Sequence, residues 1–257
     1  MNLRKSAFII PLGLLNEAVN AAPFIKYMLD KASEKNVRFK QEEVLKNIKF
    51  QAFLLAEKFN KGEIVPDDFK RSLLNLLDLT DMNDAEFWEQ WNAMIKVGDI
   101  NRAMTDLKNF ASDQRHSLLY LVSDTNIKQA EHLQKLYKEN GVELKLERNS
   151  ATLENIPLYL SYQARKNRTA LIKDLQTTID GLTFGVQETV LIVGNPNNVE
   201  DMMQRQLAKK EVDDLQAWCK ENGNVRLVQH AKQDSVVDTL QRVVTPVVEE
   251  QSCLKLA

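Results

Sequence analysis

A chain of 257 residues with 44% hydrophobic residues can bury a full core, either as one large domain or as a domain carrying an insertion. Its formal net charge of −2 gives no general electrostatic reason to bind nucleic acid or an anionic membrane. Two cysteines, Cys219 and Cys253, are too few for a disulfide framework or a cysteine-rich zinc site, and His116, His132 and His230 are scattered without ligand spacing.

Arg4 and Lys5, then the apolar stretch Ala7 to Leu15, then small residues at Asn20-Ala21-Ala22 have the outline of a signal peptide, but Pro11 and Gly13 interrupt the apolar run. The preferred reading is a buried first strand in a cytoplasmic protein. No run reaches the roughly 18–20 apolar residues that span a bilayer, so no direct membrane insertion is expected. Ala7-Phe8-Ile9-Ile10 reads as a short central strand that ends near Pro11, because proline has no amide donor for the ladder.

From Glu17 to about Val97 the pattern is helical, with no convincing strand. Between Phe39 and Phe59 an apolar stripe recurs every three to four residues at Val44, Ile48, Ala52, Leu55 and Phe59. Pro66-Asp67-Asp68 marks a helix start, and Asn83 or Asp84 caps a helix carrying Phe87, Trp88 and Trp91.

An alternation of strands and helices follows. Ile100 to Phe110 reads as a helix, and Leu118-Leu119-Tyr120-Leu121-Val122 as a strand buried on both faces. The polar cluster Ser123-Asp124-Thr125-Asn126 comes next, where Thr125 or Asp124 can cap the helix Ile127 to Glu139 that Asn140-Gly141 stops. Val142 to Leu146 and Ile156 to Ser161 are short strands, Arg165 to Thr178 a helix, Thr189 to Val193 an apolar strand, and Val199 to Glu221 a long helix. Val225 to Val228 and Ser235 to Val244 are the last strand and helix. This rhythm predicts an α/β fold, a doubly wound parallel sheet with an inserted all-helical cap. The expected divisions are a core of 1–16 and 98–246, a cap of 17–97 and a tail of 247–257.

The arrangement resembles the haloacid dehalogenase-like hydrolases, especially the phosphatases whose helical cap follows the first strand. The resemblance rests on Glu57-Lys58-Phe59-Asn60-Lys61-Gly62-Glu63-Ile64 before Pro66-Asp67-Asp68-Phe69, similar to that family's glycine-glutamate turn between cap helices, and on the Leu121-Val122-Ser123-Asp124-Thr125-Asn126 loop. It implies an aspartate nucleophile at the end of the first strand, a hydroxyl at the second motif, a lysine at the third and an acidic pair holding magnesium at the fourth. Here Ser123 stands at the second position and Lys166 at the third. Pro11 occupies the nucleophile position, with Gly13 two residues on, and Val193 and Gly194 occupy the acidic positions. Loss of a nucleophile typically costs on the order of 10⁴–10⁶ in rate. Glu17 and Asp124 are the nearby carboxylates that would have to replace it.

No catalytic residue, metal or cofactor is therefore expected, and the leading expectation is a pseudo-enzyme acting as an adaptor or structural subunit among other protein subunits. Bacterial secretion machines are one setting for such a part. The alternative is a sensor that binds a phosphorylated small molecule through Ser123 and Lys166, and the third reading is a working phosphatase. Phe87, Trp88 and Trp91 on one helix are either interface anchors or core, and the tail 247–257 is either a linear binding segment or frayed.

Overall fold

The computed structural model describes residues 6–15, 17–113, 117–147, 150–182, 185–199 and 202–244. Its strands and helices are, in order, β1 Ser6–Pro11, β2 Glu17–Val19, α1 Ala22–Lys35, α2 Glu42–Asn60, α3 Pro66–Leu76, α4 Asp84–Asn92, β3 Ile95–Val97, α5 Ile100–Asp113, β4 Ser117–Ser123 and α6 Ile127–Glu139. They continue with β5 Leu144–Glu147, β6 Ser150–Leu153, β7 Ile156–Leu160, α7 Ser161–Ala164, α8 Arg168–Asp180, β8 Glu188–Gly194, α9 Met202–Glu221, β9 Val225–His230 and α10 Val236–Val244.

Seven strands form one sheet in the order β5-β6-β7-β4-β1-β8-β9. The pairs β1/β4, β1/β8, β4/β7 and β8/β9 are parallel. In β1 and β8 nearly every residue is buried, as a strand covered on both faces requires. One face packs Phe8, Ile10, Leu121 and Ile192 against α5, α6 and α10. The other packs Ala7, Ile9, Val122 and Leu191 against α8 and α9. This is the doubly wound α/β architecture the alternation predicts.

The sheet departs from all-parallel at one edge, where β5 and β6 pair antiparallel and β6 pairs antiparallel with β7. Glu154 and Asn155 turn the β6–β7 hairpin, both at positive φ (50° and 69°). The helical reading of 17–97 also needs correction. β2 and β3 pair antiparallel in the register Glu17↔Val97, Ala18↔Lys96 and Val19↔Ile95. The inserted block leaves and re-enters the sheet region side by side, so its two connecting segments can share a ladder.

Between those strands, α1–α4 enclose a core of their own. Phe59 stacks on Phe69 with ring centroids 4.4 Å apart, and Trp91 meets Phe24 and Phe69 edge-on at 5.2 and 4.8 Å. Phe87 and Trp91 are thus consumed as core and offer no free face to a partner. Trp88 is only partly buried, and its remaining face lies under Lys128 of α6, with Nζ 5.7 Å from the ring centroid. His116, Cys253 and the tail 247–257 lie outside the described residues.

Candidate functional site

In an open α/β sheet, side chains meet a ligand where strands end in loops at the carboxyl edge, beside the strand at which the winding reverses. Here that strand is β1, flanked by β4 and β8. Pro11 closes β1 in register with Val122, and Gly13 follows in a short 3-10 turn. Val193 and Gly194 close β8, and the next residue, Asn195, turns its side chain back to accept from the Asn197 N–H at 3.0 Å. The ends of β1 and β8 therefore bring no ionisable side chain to this edge.

Ser123 closes β4 and is buried. The loop after it is built by its neighbours. Asn126, not Thr125 or Asp124, caps α6, its Oδ1 accepting from the Gln129 N–H at 3.0 Å. Its Nδ2 donates to Asn60 Oδ1 of the cap and to Gln129 Oε1, each at 2.9 Å. Ser161, fully buried at the start of α7, accepts from the Thr125 N–H at 2.9 Å. Its Oγ lies 2.8 and 2.9 Å from the Asn60 and Thr125 carbonyl oxygens, either of which can accept its proton. One polar knot thus ties the β4 loop, the start of α7 and the carboxyl end of α2 together. Gly62 completes the junction at φ +65°, where a Cβ would lie 2.5 Å from the Tyr162 carbonyl oxygen.

Arg165 takes a left-handed conformation (φ 55°) and Asn167 caps α8 through the Ala170 N–H, so the helix starts at Arg168 and Lys166 is left in the turn. The Lys166 ammonium pairs with Asp174 on α8. The cation that reaches the site is Arg168, which grips Glu211 of α9 with two donors, Nε to Oε1 at 2.7 Å and Nη2 to Oε2. Burial pulls the guanidinium pKa down, but the Glu211 bonds and charge and the Asp124 charge hold it above its ordinary value.

Asp124 is exposed in the loop after β4, yet enough protein surrounds its carboxyl that desolvation raises the pKa. The Arg168 charge and the Ser161 hydroxyl oppose that rise, while Glu211 and Glu57 add to it. From the cap, Lys61 pairs with Glu57 at 2.6 Å and also feels the Asp124 charge. Because the folded-state pKa is raised, ionised Asp124 costs stability at neutral pH, and the cost disappears as pH falls through that value. Asp124→Asn is expected to raise the melting midpoint at pH 7 and to leave it unchanged near pH 3.5. Thermal unfolding of both proteins at the two pH values checks this, and an equal gain at both would contradict it.

Beside the ends of β1, β8 and β9 a cleft of about 1150 Å³ opens between α5 and α10. His230 lines it, buried, with Nδ1 2.9 Å from Thr239 Oγ1, and desolvation lowers its pKa so that the ring is neutral at pH 7.

No protein-family model matches the sequence, and neither does any curated protein. Among solved structures, the chain is similar to the HAD family enzyme bt-2542 of Bacteroides thetaiotaomicron, with a TM-score of 0.54 and 15% identity over 92% of this chain and 98% of that one. The magnesium complex of the same enzyme gives a TM-score of 0.52 at 14% identity, over 93% and 100% of the two chains. The fold is HAD-like. Where the resemblance places a magnesium ion, at the loops after β1 and β8, the ion would need hard anionic oxygens. Pro11, Gly13, Val193 and Gly194 supply none. Asp124, which faces Arg168, is a single carboxylate, and among the described residues no group of three or more His, Cys, Asp or Glu side chains could hold a metal ion. Among the described residues, no donor set for the ion is assembled. Glu17, the other carboxylate considered as a replacement, has its backbone in the β2/β3 ladder beyond the end of β1.

Proposed function

We propose that this HAD-fold protein performs no phosphoryl transfer and works by contact, as an adaptor or structural subunit of a larger assembly. The observation that carries this reading is Pro11, held in the sheet register at the place where the resemblance puts an attacking carboxylate. The proline side chain there supplies neither a nucleophile nor an anionic oxygen for a cation. Fold alone does not assign function, so the contact role follows from the chemistry the site lacks.

A second support is that the cations near the β4 loop are already paired. Arg168, whose charge acts on Asp124, is already satisfied by Glu211, and Lys166 by Asp174. A sensor of phosphorylated metabolites would have to break those pairs. A working phosphatase is the reading to which the likeness in fold to a HAD family enzyme lends weight, and it would need Glu17 or Asp124 to replace the missing nucleophile.

Isolation under native conditions from the source cell tests the contact role. A discrete complex of fixed stoichiometry is expected, and recovery as a solitary chain at all salt concentrations would overturn it.

A further inference from the structure

Helix α2 has two faces, and the second is unaccounted for. Ile48, Ala52, Leu55, Ala56 and Phe59 point into the cap's core. On the opposite side Phe50 is 57% exposed and Leu54 40% exposed, while Phe53, half-buried, packs into none of the three apolar cores among the described residues. Residues three and four apart share a helix face, so Phe50, Phe53 and Leu54 form one apolar patch. The same stripe carries Glu43 and Lys46 on its amino-terminal side and Glu57 and Lys61 on its carboxyl-terminal side.

This order of side chains is its own complement. When two copies of α2 are laid antiparallel about a two-fold axis at Gln51–Ala52, Phe50 of each meets Phe53 and Leu54 of the other. Lys46 then comes opposite Glu57 of the second copy, and Glu43 opposite Lys61. The Phe50–Phe53 and Lys46–Glu57 pairs are centred on that point, and the Phe50–Leu54 and Glu43–Lys61 pairs half a residue beyond it, within what an isologous helix contact accommodates. The 3-4 spacing of Glu43, Lys46, Phe50, Phe53 and Glu57 is that of a short helix–helix seam with charged ends. We infer that the exposed face of α2 binds a second copy of this chain, forming a two-fold dimer through the caps. The interface is small, so the dimer is weak, with a Kd of roughly 10–500 μM. The inference does not rest on whether phosphate is turned over, since Phe50, Phe53 and Leu54 carry the contact, while Glu57 and Lys61 at its carboxyl-terminal end also face Asp124.

Sedimentation equilibrium of the full chain from about 10 μM to 1 mM reads the association directly. The weight-average mass is expected to climb from one chain toward two. Phe50→Glu should raise Kd at least about tenfold, because a charge enters an apolar seam. Its melting midpoint should hold, since Phe50 is outside the core. Lys46→Glu and Glu57→Lys should each raise Kd by about threefold, and the double variant should regain most of the loss because the two charges exchange across the axis. A single-chain mass throughout, a dimer indifferent to Phe50→Glu, or a double variant no better than the singles would each overturn the inference.

Discussion

Replacing Gly62 with alanine is expected to destabilise the protein by roughly 2–4 kcal/mol, part from the left-handed backbone and part from contact with the core. The residue sits at φ +65°, and an alanine Cβ would stand 2.5 Å from the carbonyl oxygen of Tyr162. That oxygen belongs to the backbone, so relief requires the α2–α3 turn and α7 to move apart. Gly141 supplies the control. Its φ is +74° with nothing within 4 Å of a built Cβ, so Gly141→Ala isolates the conformational cost of about 1 kcal/mol. Urea denaturation of both variants separates the two contributions. Equal losses would mean that the cap and core do not touch as closely as described.

Asn126→Ala should cost about 2–3 kcal/mol, the sum of a lost helix cap and a buried partner left unpaired. Asn126 is 0% exposed and serves three groups, the Gln129 N–H, Gln129 Oε1 and Asn60 Oδ1. Asn126→Asp keeps the cap but removes the donor, turning a carboxylate oxygen toward Asn60 and Gln129. It should therefore recover part of the cap energy and none of the tie to the cap domain. Denaturant unfolding of the pair gives the comparison, and a loss under about 0.5 kcal/mol for alanine would contradict the described network.

What could be read from the chain follows from how strongly each segment's own physics fixes it. Phe8 to Ile10, Leu119 to Val122 and Val190 to Val193 are continuous apolar runs, and only a strand covered on both faces needs them. Helix α6 was equally plain, with its stop at Asn140-Gly141. Strands β2 and β3 were not, because three residues are too few to display a period of two, and their pairing depends on where the sheet returns the chain. β6 was missed for a similar reason, since it gains its partners from β5 and β7 on either side.

The candidate site was legible by position more than by role. Ser123, Asp124, Thr125 and Asn126 are all competent to cap a helix, and sequence alone could not choose among them. The choice fell to Asn126 once β4 extended to Ser123 and the Ser161 hydroxyl took the Thr125 amide. Ser161 and Glu211 carried no local signal, being a serine at a strand end and one charge among many on α9. Arg168 carried one that was passed over, because Asn167 is a helix cap and places Arg168, rather than Lys166, as the first helical residue. Phe87 and Trp91 show the converse, since an aromatic pair four apart marks a helix face without saying what covers it.

Inorganic phosphate released from a panel of small phosphate esters, with millimolar Mg²⁺ and with EDTA, examines the vacant chemistry at Pro11 most directly. The expected result is a rate indistinguishable from buffer in both conditions and untouched by Asp124→Asn. Multiple-turnover release that requires Mg²⁺ and vanishes in Asp124→Asn would contradict it.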